Sequence, residues 1–226
     1  ANNAAIAGSG VSGTLSLDAV AISTSGSGAG LSLTNQAGTL TLNGSIGGGG
    51  TGAALALSGG AGSVTLTSAP ISKTAGRLVD VQNKTGGTVT LGAVTGSGAA
   101  TDAIVAQSNT GGTVVAFPSG FSVTTTAGRG LFANNGGTLD VGGAASTISA
   151  TGAAALDASG TSFGSGATFA SASSTGSSAE GVRLSNVTGP VTINGGAISG
   201  STGTAFSLAQ GSANVTYAGT IGKTNA

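Results

Sequence analysis

Short stretches in which apolar residues alternate with Thr, Ser or Ala recur along the whole chain. Thr88-Val89-Thr90-Leu91 returns as Thr14-Leu15-Ser16-Leu17, Thr39-Leu40-Thr41-Leu42, Ser63-Val64-Thr65-Leu66, Thr113-Val114-Val115, Thr138-Leu139-Asp140-Val141, Pro190-Val191-Thr192-Ile193 and Asn214-Val215-Thr216-Tyr217. These copies start 25, 24, 25, 25, 25, 52 and 24 residues apart, the long step covering a degenerate copy near Thr161-Ser162-Phe163. The mean period is 25 residues, which makes about nine repeats and leaves no room for a second domain in residues 1–226.

Two further blocks flank this one. Leu31-Ser32-Leu33, Leu55-Ala56-Leu57, Val79-Asp80-Val81, Ile104-Val105-Ala106, Val182 with Leu184, and Phe206-Ser207-Leu208 precede it. Ile22, Ile46, Ile71, Val94, Val123, Ile148, Ile198 and Ile221 mark a block that follows it. Alternation with period two is the signature of a half-buried strand, and a 3.6-residue helical period is absent. The glycine doublets between blocks, such as Gly86-Gly87 and Gly136-Gly137, would each weaken a helix by roughly 1 kcal/mol per glycine.

One 25-residue unit cannot bury its own apolar side, but stacked units can. The pattern therefore predicts an all-β chain, a right-handed parallel β-helix (β-solenoid) of about nine coils with three short strands per coil. Each strand pairs in parallel with its equivalent one coil along, about 4.8 Å away, and parallel crossovers set the expected hand. Val89 and Leu91 then point inward, and Thr88 and Thr90 outward. Nine coils make a rod about 43 Å long.

Composition sharpens this picture. Glycine supplies 45 of 226 residues, only 5% of the chain is charged, and Cys, His, Met and Trp are absent. Without Cys or His the usual zinc, iron–sulfur and haem ligand sets are missing, as are nucleophilic triads built on those residues. Six basic residues balance six acidic ones, so no basic patch exists to neutralise nucleic-acid phosphates. No run of about 20 apolar residues encodes a membrane-spanning helix. Glycine does not fall at every third position, which excludes collagen, and the regular Val, Ile and Leu positions separate the chain from a disordered Gly/Ser linker. A chain that begins Ala1-Asn2-Asn3 without methionine is expected to be a processed product or a segment of something larger.

Asn35, Asn109, Asn134 and Asn186 each lie four residues before the start of a Thr-x-Thr block. That common offset predicts a structural ladder of asparagines hydrogen-bonded up one corner of the rod.

The runs GRLVDVQNKTGGTVTLGAVTGSG and AEGVRLSNVTGPVTINGGAISGSTGTAFSLAQGSANVTYAGTI resemble bacterial β-strand-repeat surface proteins of the autotransporter-passenger and filamentous-haemagglutinin kind. The resemblance covers nearly the whole chain. It implies a Gram-negative source, an extracellular location at the bacterial cell surface, and a stalk, adhesin or fibre whose partners are a host or environmental glycan or protein. Ile221-Gly222-Lys223-Thr224 matches Ile71-Ser72-Lys73-Thr74 six periods earlier. The chain is accordingly expected to continue as a longer parent or to stack head-to-tail on itself.

Several residues carry candidate chemistry. Thr39, Thr41, Thr65, Thr88 and Thr90 would form outward rows of hydroxyls, resembling an ice-binding face, with interruptions at Val115, Asp140, Pro190 and Asn214. Glycoside hydrolysis needs two carboxylates about 5–10 Å apart. Counted from the Thr-x-Thr block, Asp18, Asp80, Asp102, Asp140, Asp157 and Glu180 share no column on neighbouring coils, and read as solvated turn charges. The calcium-binding Gly-Gly-x-Gly-x-Asp nonapeptide is absent. Arg77, Arg129 and Arg183 lie before or within the first strand of their coils, a stripe that keeps a nearly neutral rod soluble or makes an adhesive contact. Phe117, Phe121 and Phe132 read as core or corner packing, or as an exposed contact for a second rod or a glycan. The expectation is a non-catalytic structural or adhesive segment that uses no cofactor and does not itself insert into a membrane. A carbohydrate-binding or carbohydrate-degrading β-helix and an ice-binding solenoid are the alternatives.

Overall fold

A computed structural model describes residues 3–223, apart from the side chains of residues 143–145. Thr224 of the carboxy-terminal match lies outside the described residues. All regular structure described is strand, and every strand pairing is parallel. Strands stack coil on coil into a β-solenoid of about nine turns.

Three faces make up each turn. The first is a nine-stranded sheet running from Ile6–Ser9 through Leu31–Thr34, Leu55–Ser58, Val79–Gln82, Ile104–Gln107, Leu131–Asn134, Leu156–Ser159 and Val182–Val187 to Phe206–Gly211. Its first residues align as Ile6, Leu31, Leu55, Val79, Ile104, Leu131, Leu156, Val182 and Phe206, in steps of 24 to 27 residues. The second and third faces form one continuous sheet. Long strands such as Thr14–Thr24, Thr39–Gly48 and Thr138–Thr151 run through the corner between them.

Period-two alternation sends one side of every strand inward. On the first face Leu33, Leu57, Val81, Ala106, Ala133, Ala158 and Leu184 form an unbroken buried column. On the second, Leu66, Leu91, Phe117 and Val141 do the same. Phe117 meets Phe121 edge-on with ring centroids 5.1 Å apart, and Phe121 meets Phe169 at 6.1 Å. Phe117 and Phe121 are thus core residues. Phe132 is not: it lies on the outer side of the first face and is only partly buried.

Each first-face strand has a residue in the left-handed region directly after it or, in the last two coils, just before its final residue. Along the rod these are Gly10, Asn35, Gly59, Asn83, Ser108, Asn135, Gly160, Asn186 and Gln210. Their N–H groups bond to the next coil, as in Asn35 N–H to the Ser58 carbonyl at 2.7 Å and Asn135 N–H to Ser159 at 2.8 Å. Asparagine tolerates this conformation better than other residues with a side chain. A Cβ at Gly59 would collide with Oδ1 of Asn35, and one at Gly160 with Oδ1 of Asn135. Asn therefore leans over a glycine of the adjacent coil instead of stacking on another Asn.

The expected ladder of Asn35, Asn109, Asn134 and Asn186 does not form. Asn35 and Asn186 occupy the left-handed column. Asn134 ends its strand one residue earlier, and Asn109 lies one residue later, buried in the core. The second face begins four residues after Asn35, six after Ser108 and three after Asn135. A fixed offset counted back from the second face therefore slides across columns.

The same variable corners move other alignments. Val114, not Thr113, pairs with Thr88. Phe121 takes the place beside Val94 that the pattern gave to Val123. Val191 pairs in the column of Val141 through Ala167, two places from its expected partner Leu139.

Candidate functional site

The positions two residues ahead of the first face stack as Arg77, Asp102, Arg129, Ala154 and Glu180. The first outward position of that face stacks as Asp80, Val105, Phe132, Asp157 and Arg183. Two adjacent columns thus gather all three arginines of the chain and four of its six acids. Counting acids from the second face hid this arrangement, and counting from the first face reveals it.

The groups pair in sequence along the rod. Arg77 Nη1 donates to Asp80 Oδ2 at 2.6 Å, and Gln82 Nε2 to Asp80 Oδ1 at 2.6 Å. Arg77 Nε donates to the Asp102 backbone carbonyl at 3.2 Å. Arg129 grips Asp102 through three donors: Nε to Oδ1 at 3.1 Å, Nη2 to Oδ2 at 2.7 Å, and its own backbone N–H to Oδ1 at 2.8 Å. Its Nη1 reaches Asp157 Oδ2 at 2.8 Å, and Arg183 Nη1 donates to Asp157 Oδ1 at 3.1 Å. The Arg129 guanidinium carbon sits 3.3 Å from the centroid of the Phe132 ring, a cation–π contact that fixes its plane.

Burial alone would raise the Asp102 carboxyl, but the Arg129 hydrogen bonds and the charges of Arg129 and Arg77 hold it below the ordinary carboxylate range. Burial opposes the charge on Arg129 as well, and is outweighed by its bonds to Asp102 and Asp157. Asp102 and Asp157 lie two coils apart with a guanidinium between them. Each is committed to ion pairing, the opposite of the free pair that acid–base hydrolysis requires.

Beside this stripe lies a surface depression of about 290 Å³, bordered by Asp102, Arg129, Asp157, Glu180 and Arg183 and lined as well by Ala127, Gly128, Ala153 and Ala154. Its position follows from the sequence. Coil seven carries Ala154 where its neighbours carry Arg129 and Glu180, so one long side chain is missing from the column. Arg183, with 40% of its side chain exposed, is the most open cation of the stripe. Among the described residues no side chain pairs with the Glu180 carboxylate.

The hydroxyl rows occupy the second face. Thr14, Thr39, Ser63 and Thr88 align in one row, Ser16, Thr41, Thr65 and Thr90 in the next. Val114 and Ala116 follow in the two columns and interrupt both rows.

Two buried lysines escaped the sequence reading. Lys84 is 1% exposed and Lys73 3%. Lys84 Nζ donates to the carbonyls of Gly60 at 3.2 Å and Gly62 at 2.9 Å, and Lys73 Nζ donates to that of Gly52. Burial lowers both ammonium groups from their ordinary value. Lys84 belongs to a column of inward polar residues, Gln36, Lys84, Asn109 and Thr161, each directly after a left-handed corner residue. Asn109 Nδ2 donates to Val81 and Gly136 carbonyls at 3.1 Å, and Gln36 Nε2 to Ser63 at 3.1 Å. These side chains close the corner's backbone hydrogen bonds from inside. The signal was available: each polar residue follows Asn, Ser or Gly at the end of a first-face strand.

The chain matches no known protein family, no curated protein and no solved structure.

Proposed function

We propose that the chain is a non-catalytic, rod-forming structural segment of an exported bacterial surface or fibre protein. One observation carries the reading: the inward columns run unbroken from coil to coil, so that length is produced by repetition alone. Leu33 to Leu184 on the first face is a single stack of seven buried apolar residues. Each coil adds about 4.8 Å of reach and needs no metal or disulfide to do so. Ion pairs link successive coils on the outside from Asp102 to Arg183, and buried amides and ammonium groups bond between coils inside. In a repeat protein such nearest-neighbour contacts supply the stability. Few exposed Lys and Arg leave little for trypsin-like proteases, which suits an extracellular location.

Immunogold electron microscopy tests the proposal on the cells that make the chain. Antibodies to the described residues should decorate thin rods or fibres outside the cell. Labelling confined to the cell interior, or to compact particles, would overturn it.

A further inference from the structure

The depression at Ala154 has features that a scaffold does not need. Neighbouring coils fill this column with Arg129 and Glu180, whereas coil seven leaves a slot about one coil spacing wide, roughly 4.8 Å. Methyl and backbone groups of Ala153, Ala154 and Ala179 line it together with Ser177 and Ser178. The rim holds one cation with donors to spare and one acid without a partner. Arg183 uses only Nη1, at 3.1 Å to Asp157, so Nε and Nη2 remain available. Arg129 is by contrast tied to Asp102 and Asp157 through three nitrogens and backed by Phe132. It fixes Asp157, and Asp157 in turn steadies Arg183.

We propose that this slot binds an acidic sugar, a uronate unit of a polysaccharide. The chemistry follows from the two rim groups. A guanidinium with two free adjacent donor nitrogens takes a carboxylate in paired hydrogen bonds. The Glu180 carboxylate only accepts hydrogen bonds when ionised, so it selects a ligand that presents hydroxyl donors beside its acid. A pyranose ring is thin enough to enter edge-on a slot one coil spacing wide, with a C–H face against the alanine methyls. The volume of about 290 Å³ lies at the small end of ligand sites, and suits one or two sugar rings rather than a long groove. Asp102 and Asp157, both ion-paired, hold the site together without acting on the sugar. This inference stands apart from the rod reading, since a soluble short rod would bind equally.

The test is titration of the folded chain with trigalacturonate, followed through the amide signals of Ala153, Ala154 and Ala179 by heteronuclear NMR. A neutral trisaccharide serves as control. Trigalacturonate should shift these signals in a saturable way, and the neutral sugar should not. Arg183→Gln should weaken binding by about tenfold or more, the effect of losing a charge-assisted pair. Glu180→Gln, at a residue with no side-chain partner to lose, keeps an acceptor oxygen and should change binding by a smaller factor and leave the spectrum elsewhere unchanged. Ala154→Gln, which fills the slot and leaves both rim residues in the chain, should abolish it. No saturable shift with trigalacturonate, equal binding of the neutral sugar, or binding unaffected by Ala154→Gln would each overturn the proposal.

Discussion

Arg129 and Asp102 meet side-on across one coil: Nε and Nη2 of the guanidinium face the two carboxylate oxygens at 3.1 and 2.7 Å. The backbone N–H of Arg129 adds a third bond to the same carboxylate at 2.8 Å. Side-chain exposures of 29% and 18% place the pair between a loose surface bridge and a buried one. Asp102→Ala leaves Nε and Nη2 of a guanidinium positioned by Phe132 without acceptors, with only Nη1 still held by Asp157, and removes an acceptor from the Arg129 N–H. The expected cost is about 1–3 kcal/mol, read as a lower urea midpoint.

The same pair sets a response to acid. The folded Asp102 carboxyl lies below its ordinary value of 3.8. Its stabilisation is therefore complete above that value and is lost as pH falls through the lower folded one. Urea midpoints measured from about pH 6 downwards should fall less steeply for Asp102→Asn than for the parent. Equal slopes would mean that other carboxylates govern acid unfolding.

How much of this was legible in the sequence depended on which repeat position was counted. Leu31, Leu55, Val79 and Ile104 were recognised as one face, and they are one column, because strand alternation is local and survives insertions elsewhere. Columns inferred across a corner did not survive. Six residues separate Ser108 from Val114 where three separate Asn135 from Thr138. Asparagines and acids measured from the second face were therefore placed on the wrong neighbours. The Asn ladder dissolved for that reason, and the Arg–Asp stripe went unseen. Lys84 was hidden by its type, since lysine is seldom fully buried, and only the corner carbonyls that receive it explain its place.

Lys84 makes a second pH-dependent prediction, of opposite sense. Burial lowers its ammonium group below the ordinary 10.5, so the fold prefers the neutral form and bears a cost at every pH below the folded value. As pH rises from the folded value to 10.5 the unfolded chain holds the extra proton, and stability should increase. Lys84→Gln places the residue already found at Gln36, two coils earlier in the same column, against similar carbonyls. This variant should lose the Lys84 share of the alkaline rise, leaving that of Lys73, and match or exceed the parent's urea midpoint at neutral pH. Lys84→Leu takes its donor from the Gly62 carbonyl, while Gly60 keeps the Thr85 N–H at 3.1 Å, and should cost about 1–3 kcal/mol.

Aromatic packing fixes the middle of the rod. Phe169 is fully buried and stands 6.1 Å from Phe121, which stands 5.1 Å from Phe117. Phe169→Ala opens a cavity among walls held by hydrogen-bonded coils above and below, which limits their collapse. A loss of about 3–5 kcal/mol is expected in chemical denaturation. Hydrogen exchange should show the loss concentrated in coils five to eight, because Phe169 touches Phe121 two coils away and strand pairing otherwise joins neighbouring coils only. Uniform acceleration along the rod would instead mean that the nine coils unfold as one unit.

Two glycines with ordinary backbone angles separate steric need from mere abundance. A Cβ at Gly38 would collide with the carbonyl of Gly13 in the preceding coil, whereas one at Gly26 meets nothing within 4 Å. Gly38 N–H also bonds back to Val11 at 2.9 Å, so the two coils cannot part without breaking that contact. Gly38→Ala should lower the melting temperature by several degrees, since about 1 kcal/mol is worth a few degrees in a domain of this size. Gly26→Ala should leave the melting temperature unchanged or raise it slightly, because alanine restricts the unfolded chain at no steric cost in the folded one. If both variants melt together, glycine at Gly38 is not there for close approach, and spacing between coils one and two must be set by their strand pairings, Ile6 with Leu31 and Thr14 with Thr39.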